Sequence, residues 1–351
     1  MKPSELYVQL NSEKVKLAPK TQEFLEFSLR DTVLYHSRYQ LALSSIAHLH
    51  HQCQSGTNTG GLLILGNSGV GKSTLIREYA QYFPAEKIAG QTKIPVLVVT
   101  CPSSATASGF LSAVFEKLGY PIPRSDIADK TLKVIKLLKI YQVEVLIIDE
   151  AQHAFYSRAI SDFRQLVDTL KVVLTETNVG SVLCGLFELE EVIASNEQLA
   201  RRHTNKIDFP HFTLEVESDF LEFRAILKGF EHHLPLPVET VLHEANLARR
   251  FLIASDGNLD YLRRILEKSV HLAAVTNQSL LTLEHYQAAF REYIWQQCPD
   301  KLNPFHEQSP LRRLNREGEP YYPWHQKHKI GSPLARRNLT PKGDFNGNPF
   351  K

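Results

Sequence analysis

The stretch Gly66-Asn67-Ser68-Gly69-Val70-Gly71-Lys72-Ser73 decides the fold of this chain. It matches the pattern G-x-x-x-x-G-K-[ST], whose glycines let several backbone N–H groups converge on phosphate oxygens. In such a loop the lysine contacts the β- and γ-phosphates of a nucleoside triphosphate, and the hydroxyl that follows it binds Mg²⁺. We therefore predict that these eight residues and Thr74 bind ATP, with Lys72 on the phosphates and Ser73 on Mg²⁺.

The residues on either side of the loop predict a strand before it and a helix after it. The segment 61–65 is apolar throughout, which is typical of a buried strand, and apolar residues recur on one helical face from 74 to 83. Phosphate binding requires this order of strand, loop and helix.

Two adjacent carboxylates, Asp149 and Glu150, end a second apolar run that starts at Val143. Packing does not explain them, because an ionised carboxylate is costly to bury unpaired. Their chemistry fits the binding of a metal ion and of a water molecule: Asp149 would hold Mg²⁺, and Glu150 would polarise the attacking water. The pair follows Lys72 by 77 residues (149 − 72), in the order an ATPase needs. We therefore predict ATP hydrolysis, with Glu150 catalytic.

Strand and helix patterns alternate along the chain, which predicts an α/β fold with a parallel sheet flanked by helices. Further strands are predicted at 95–100, 143–148, 180–186 and 206–214. Helices are predicted at 38–50, 74–83, 108–118, 131–140, 161–175, 219–230, 238–254, 259–275 and 283–294. The predicted domains are a partly helical lead-in (1–56), a nucleotide-binding core (57–216), a small all-helical lid (217–298) and an irregular basic, proline-rich tail (299–351).

The composition is that of a globular protein, with 43% hydrophobic and 22% charged residues. No apolar run approaches the roughly 20 residues that span a bilayer, and residues 1–14 lack a signal-peptide core, so we expect a cytoplasmic protein without a membrane partner. The four cysteines are far apart without a C-x-x-C pair, which indicates neither disulfides nor a zinc site.

The tail differs from the rest of the chain in charge. Residues 301–351 carry ten Lys or Arg and four Asp or Glu, a net +6, which leaves −4 for residues 1–300. They also hold seven of the eighteen prolines, so we expect no packed core there. A solvated tail and an arm that binds a partner or phosphates both fit this composition.

Taken together, these residues resemble the AAA+ ATPases and, more narrowly, the TniB/TnsC group of transposition regulators. The resemblance covers about residues 30–295. Beyond the two nucleotide motifs, its carriers are Tyr35-His36-Ser37-Arg38-Tyr39-Gln40, Cys101-Pro102-Ser103-Ser104-Ala105-Thr106, Leu118-Gly119-Tyr120-Pro121, Ala151-Gln152-His153 and Gln198-Leu199-Ala200-Arg201-Arg202.

The resemblance implies a protein that binds ATP, assembles as a ring or helical filament around double-stranded DNA, and connects a target-site selector to a transposase. Hydrolysis would then disassemble or proofread the assembly. It also implies that Arg201 or Arg202 reaches the γ-phosphate of a neighbouring protomer, which would make hydrolysis depend on oligomerisation. The alternative for this pair is a surface position bound to carboxylates.

The sequence departs from the family pattern at two places that sense the γ-phosphate. Cys184 occupies the expected polar position near the tip of the fourth strand, and a thiol is a poor hydrogen-bond donor. In the lid, Gly257 is followed at the third position by Asp260 instead of an arginine. Arg263 or Arg264 could substitute from the next turn, or could form a surface salt bridge.

Contacts to DNA are predicted on a polar and basic face suited to sequence-independent phosphate binding. Its candidates are Ser103, Ser104, Thr106, Lys117, Lys133 and Lys136. No zinc finger or recognition helix indicates base readout.

Two other functions compete with this interpretation. An AAA+ loader or remodeller would act on a protein partner without binding DNA, and an aromatic-hydrophobic pore loop would favour it. A small-molecule kinase is suggested by the phosphate loop alone, but Asp149-Glu150 and the helical lid argue against it.

Overall fold

The computed structural model describes residues 24–56, 60–88, 90–103, 106–155 and 160–323. Its strands are β1 (Gly61–Gly66), β2 (Glu86–Ile88), β3 (Gln91–Lys93), β4 (Val96–Thr100), β5 (Val145–Asp149), β6 (Gly180–Gly185) and β7 (Asn205–Phe209). Five of them form one parallel sheet in the order β4-β5-β6-β1-β7. The antiparallel hairpin β2–β3 was not predicted from the sequence.

All nine predicted helices are present, and all but the one at 259–275 have shifted ends. They are α1 (Ser37–Gln54), α2 (Lys72–Gln81), α3 (Ala107–Lys117), α4 (Ile127–Ile140), α5 (Ile160–Thr177), α8 (Glu217–Glu231), α9 (Ala245–Ser255), α10 (Leu259–Val275) and α11 (Leu283–Tyr293). Two short helices, α6 (Glu188–Ala194) and α7 (Glu197–Arg202), precede β7, and 3-10 turns occupy Ala151–Phe155 and Asp300–Leu302. The predicted fold class is confirmed.

Strand β7 is shorter than its sequence pattern suggests. The pattern predicts a strand at 206–214, whereas β7 ends at Phe209. Pro210 follows, and proline has no N–H with which to continue the ladder. Beyond it the chain leaves the sheet and crosses to the lid.

Both faces of the sheet are buried, because side chains alternate along each strand. In β1, Leu62 and Ile64 pack against α1 and α2 in one hydrophobic cluster. Leu63 and Leu65 pack on the opposite face, in a cluster that includes residues of α3, α4 and α5. Helix α1, from the predicted lead-in, therefore packs as part of the α/β core.

Helices α8–α11 form the lid around a third cluster of buried residues. Leu29 from the lead-in joins this cluster, as do Phe305 and Leu314 from beyond α11. Within the described part of the chain, no helix combines the length and apolarity that crossing a membrane requires.

The first half of the basic tail is packed. Residues 303–323, here called the strap, contain no helix or strand, yet Phe305 and Leu314 are 0% and 1% exposed. The expectation of an unpacked tail is therefore wrong for the strap, because its apolar residues complete the lid core and its arginines Arg312 and Arg313 pair with acids. Residues 324–351 lie outside the described residues.

Candidate functional site

The predicted phosphate loop lies at the carboxyl edge of the sheet, where β1 runs into α2. Gly71 is the N-cap of α2 with a φ of +97°, and Gly69 has a φ of +79°. Both values lie in the left-handed region that glycine enters without steric penalty. The turn aims the N-terminus of the ten-residue helix α2 at the cavity beside it, and a helix N-terminus offers free N–H groups to an anion.

Lys72 lies inside this loop and is 7% exposed. Its ammonium group donates to the carbonyls of Gly66 and Asn67, at 2.7 Å each. Burial lowers the pKa of Lys72, while the charge of Glu150 acts in the opposite direction. The lysine is thus held as a buried point charge between the loop and the carboxylates at the end of β5.

Asp149 and Ser73, the two predicted Mg²⁺ ligands, come together although they are distant in sequence. Asp149 is 8% exposed and accepts a hydrogen bond from the backbone N–H of Glu150 at 2.9 Å. Burial raises the pKa of Asp149, while its interactions with the nearby Ser73 hydroxyl and with this N–H oppose that effect. A carboxylate and a hydroxyl in contact form an oxygen donor set that suits Mg²⁺.

Glu150 adopts an unfavourable backbone conformation for a residue with a side chain, with a φ of +53°. Such strain persists where the surroundings enforce it and is frequent at catalytic positions. The carboxylate lies 3.6 Å from His153 and accepts a hydrogen bond from the amide of Gln152. Together with Lys72 and Ser73, Glu150 lines the cavity above the loop.

Gln152 is a site residue to which the sequence analysis assigned no role. It is 3% exposed, and its amide oxygen accepts the N–H of Leu186, just past the end of β6, at 3.2 Å. An added Cβ on Gly185 would lie 2.5 Å from that oxygen. Gln152 thus ties Glu150 to the tip of β6, and its position two residues after the acidic pair is the signal that could have revealed it.

Cys184 does not act as the polar residue that the family pattern leads one to expect near the tip of β6 as a sensor of the γ-phosphate. It is 0% exposed and lies opposite Ile64 in the β1–β6 register. Burial raises the pKa of its thiol far above the ordinary value, so the group stays neutral. Gln152, fixed by β6 and Glu150, is the polar side chain found next to this position.

The cavity above the loop, here called the carboxyl-edge cavity, has a volume of about 670 Å³. The predicted site residues Ser68, Gly69, Val70, Gly71, Lys72, Ser73, Thr74 and Glu150 form its floor. The lead-in and lid form its walls, through Ser28, Leu29, Arg30, Thr32, Val33, Leu34, His36, Tyr39, Ile226, Phe230, Leu259, Asp260, Arg263 and Arg264. Residues 28–34, which form part of the wall, were not predicted as site residues because they carry no motif.

The lid touches the phosphate loop directly. The Asn258 amide donates to the Ser68 carbonyl at 2.8 Å, and the N–H of Asp260 donates to the Gly69 carbonyl at 3.1 Å. An added Cβ on Gly69 would lie 2.6 Å from Asn258. Asn258 also caps α10 by accepting the N–H groups of Asp260 and Tyr261, so one side chain joins the two parts of the site.

The two lid arginines considered as substitutes for a missing sensor both pair with Asp260. Arg263 lies 2.7 Å from Asp260 and 2.7 Å from Glu267, while Arg264 lies 2.8 Å from Asp260. Both arginines line the carboxyl-edge cavity. Both guanidinium groups are therefore close to where a bound phosphate would lie, but each is paired with the carboxylate of Asp260.

Arg201 and Arg202 lie at the opposite, amino edge of the sheet. They form the last turn of α7, just before Asn205, which pairs with Leu62 in β1. From there to Gly66 at the end of β1 is about 13 Å, since a strand rises about 3.3 Å per residue. These arginines therefore do not reach the phosphate loop of their own chain.

The two arginines differ in surroundings. Arg201 is 78% exposed and pairs with Glu197 at 2.6 Å. Arg202 is half-buried, and its Nη1 has no hydrogen-bond partner among the described residues. Burial lowers the pKa of Arg202, with the opposite influence coming from Cys53.

Both arginines line a second cavity of about 1060 Å³, here called the amino-edge cavity. Lys206, His48, Gln52 and several hydroxyl-bearing residues share its lining, and among the described residues that line it none is acidic. Arg201, Arg202 and Lys206 give the cavity a cationic lining, but Glu197 pairs with Arg201, and Glu190 and Asp208 pair with Lys206.

The predicted DNA-contact residues do not form one face. Ser103 and Thr106 follow β4, whose last residue, Thr100, lies opposite Asp149. Thr106 caps α3, whereas Lys117 ends that helix eleven residues later, about 16 Å along the axis. The set is therefore divided between the two edges of the sheet, a separation that the predicted helix at 108–118 already implied.

The remaining members of the set lie on α4. Lys133 pairs with Asp129 at 2.6 Å, while Lys136 is exposed. Ser104 lies outside the described residues. The DNA contacts and the roles of Arg201, Arg202 and the loop residues stay predictions.

Comparison with known families agrees with this geometry. The family model described as bacterial TniB protein matches residues 25–212, more than half of the chain. The chain belongs to the TniB family. The match spans the described part of the lead-in, the phosphate loop, Asp149-Glu150 and the Arg201-Arg202 pair, and it ends at Phe212, where the chain enters the lid. Among curated proteins, none matches this TniB family member.

Solved structures similar to this TniB family member share its fold. Aeropyrum pernix ORC2, in ADPNP-ADP complexes, is 16% identical with a TM-score of 0.53, over 72% of this chain and 66% of its own. Aeropyrum pernix ORC1 in complex with DNA is 15% identical with a TM-score of 0.57, over 77% and 69%. Drosophila ORC bound to DNA is 15% identical with a TM-score of 0.53, over 86% and 75%. At these identities the likeness shows the AAA+ fold alone.

Proposed function

We propose that this protein is an ATP-dependent regulator of transposition that oligomerises on duplex DNA and links a target-site selector to the transposase. The contact of Ser73 with Asp149, beside Lys72 and Glu150, carries the nucleotide half of the proposal. Membership of the TniB family supports the transposition half. The DNA-bound ORC structures of the same fold make duplex DNA a reasonable ligand to test.

Residues in and beside the carboxyl-edge cavity are assigned the following roles in ATP hydrolysis. The loop N–H groups and Lys72 bind the phosphates, while Ser73 and Asp149 would hold Mg²⁺. The metal neutralises charge on the β- and γ-phosphates. Glu150 accepts the proton of the attacking water, and Gln152 holds its carboxylate in place. The apolar walls from Val33, Leu34, Ile226 and Phe230 suit a nucleotide base.

The amino-edge cavity would complete the site of a second copy. Arg201 is exposed, cannot reach its own phosphate loop, and is held within its own chain only by the exposed Glu197. An arginine supplied in trans stabilises charge on the transferred phosphoryl group. Arg202, whose Nη1 is buried, is less accessible. Hydrolysis would therefore depend on assembly, and assembly would be lost after hydrolysis.

Sequence-independent contact with the DNA backbone is assigned to residues before the start of α3 and along α4. Ser103, Thr106, Lys133 and Lys136 remain candidates for it. Lys117, at the far end of α3, would contact a different part of the duplex or none. Alanine at Lys136 should weaken DNA binding and reduce its salt dependence, whereas alanine at Lys117 serves as a control with the same charge change.

The proposal is tested by electron microscopy of the protein with duplex DNA in ATP and in ADP. Rings or filaments should form with ATP, fail to form with Lys72→Ala, and persist with Glu150→Gln. ATPase activity should fall in both variants. A protein that stays monomeric and unbound at low salt with ATP would contradict the proposal. Assembly that needs a protein partner but no DNA would favour the loader.

A further inference from the structure

The junction between core and lid depends on two consecutive residues in the left-handed region. Asp256 has a φ of +50° and Gly257 a φ of +67°. A Cβ on Gly257 would lie 1.9 Å from the Phe212 carbonyl oxygen, and the Phe212 N–H donates to the Gly257 carbonyl at 3.2 Å. The next residue is Asn258, which binds the phosphate loop. The conformation of Asp256-Gly257 therefore sets where Asn258 lies.

Asp256 is the strained member of this pair, because a residue with a side chain is disfavoured at a positive φ. Its side chain is only 10% exposed. Arg313 of the strap donates to both carboxylate oxygens, at 2.6 and 2.7 Å. His211 lies 3.8 Å away on the other side. Burial alone would raise the pKa of Asp256, but the interactions with His211 and Arg313 lower it, so the group is a carboxylate.

Arg313 is anchored although its own side chain is 61% exposed. The next residue, Leu314, is 1% exposed in the lid core, and its carbonyl accepts the N–H of Tyr321 at 3.0 Å. The Tyr321 hydroxyl in turn donates to the carbonyl of Ala254, two residues before Asp256. The strap therefore holds the end of α9 at two points.

We propose that Arg313 is a positioning residue for the nucleotide site: through Asp256 it holds Asn258 against the Ser68 carbonyl, and so keeps the phosphate loop and lid in the geometry that binds nucleotide. The inference rests on the proposed ATP binding. A bidentate pair between guanidinium and carboxylate fixes orientation as well as distance, which the conformation of Asp256 requires.

The test is the dissociation constant of a fluorescent ADP analogue for the full-length protein and its variants. Arg313→Ala should raise it about fivefold or more, the lower range of coupling between distant sites. Asp256→Asn should have a similar effect, since asparagine tolerates the same backbone conformation but loses the charge. Arg313→Lys should fall between wild type and Arg313→Ala. Arg316→Ala, an exposed strap residue with the same charge change, is the matched control and should bind like wild type.

Additivity separates positioning from general destabilisation. If Arg313 acts through Asn258, Arg313→Ala should not weaken binding further in an Asn258→Ala background, whereas independent effects would add. Binding by Arg313→Ala within about twofold of wild type, or an equal loss with and without Asn258, would overturn the inference and leave ATP binding intact. A wild-type protein that binds no nucleotide would overturn both.

Discussion

Replacing Gly257 with alanine should detach the lid from the nucleotide-binding core. The new Cβ would lie 1.9 Å from the Phe212 carbonyl oxygen, and because that atom is backbone, the junction itself has to shift. The left-handed conformation costs alanine about 1–2 kcal/mol. The shift also removes the Phe212–Gly257 hydrogen bond and the contacts of Asn258 and Asp260 with the loop, at about 1 kcal/mol each. The expected loss is about 4 kcal/mol, large for a single substitution.

The assay is urea unfolding together with nucleotide binding. Gly318→Ala is the control, because Gly318 has a φ of +86° but nothing within 4 Å of an added Cβ. It should lose only the conformational part, about 1–2 kcal/mol, and bind nucleotide normally. Equal losses for Gly257→Ala and Gly318→Ala would refute the close packing of the junction. Unchanged nucleotide affinity in Gly257→Ala would refute the role of the lid in binding.

Four further predictions concern single residues at or near the two edges of the sheet. Gln152→Ala should lower kcat of ATP hydrolysis about tenfold to a hundredfold, through misplacement of the proposed base, with nucleotide affinity measured as the control. Arg201→Ala should lower assembly-dependent ATPase activity about 10³-fold without changing the nucleotide affinity of the monomer. Arg202→Met should not lower the midpoint of thermal unfolding, because it removes a buried N–H group that has no partner in the described part of the chain. Burial lowers the pKa of His36 and of His203 to about 4 each, so the unfolded chain takes up protons first as pH falls. The contribution of each histidine to the free energy of unfolding is fully present above about pH 6.5 and should decline by about 3 kcal/mol towards pH 4. A free energy of urea unfolding that does not change with pH across this window would contradict the prediction.

Much of the fold could be predicted from sequence because its determinants are local. The apolar run before Gly66 and the pair Asp149-Glu150 each sit within one strand and its following turn. Helix periodicity located all nine predicted helices, since burial of one face repeats every 3.6 residues. The boundary errors come from terminators with a specific chemistry, such as Pro210 after β7.

The candidate site could be predicted only where a motif marks it. The sequence named Lys72, Ser73, Asp149 and Glu150, whose residue types the chemistry of phosphate and metal requires. It did not assign a role to Gln152, because its position two residues after the acidic pair is a weak signal until the fold places the side chain beside β6. It also placed Lys117 and Thr106 in one DNA-binding face, although they lie at opposite ends of helix α3.

The sequence by itself determined that this chain has a phosphate loop, an acidic strand end and alternating strands and helices, because each is encoded by neighbouring residues. Only the tertiary structure decided how the lid and the strap are placed against the phosphate loop. Asn258 meets Ser68 across 190 residues, and Arg313 meets Asp256 across 57. Such contacts depend on the backbone geometry at Gly257 and on a strap whose composition resembles that of an unpacked tail, so no local pattern records them.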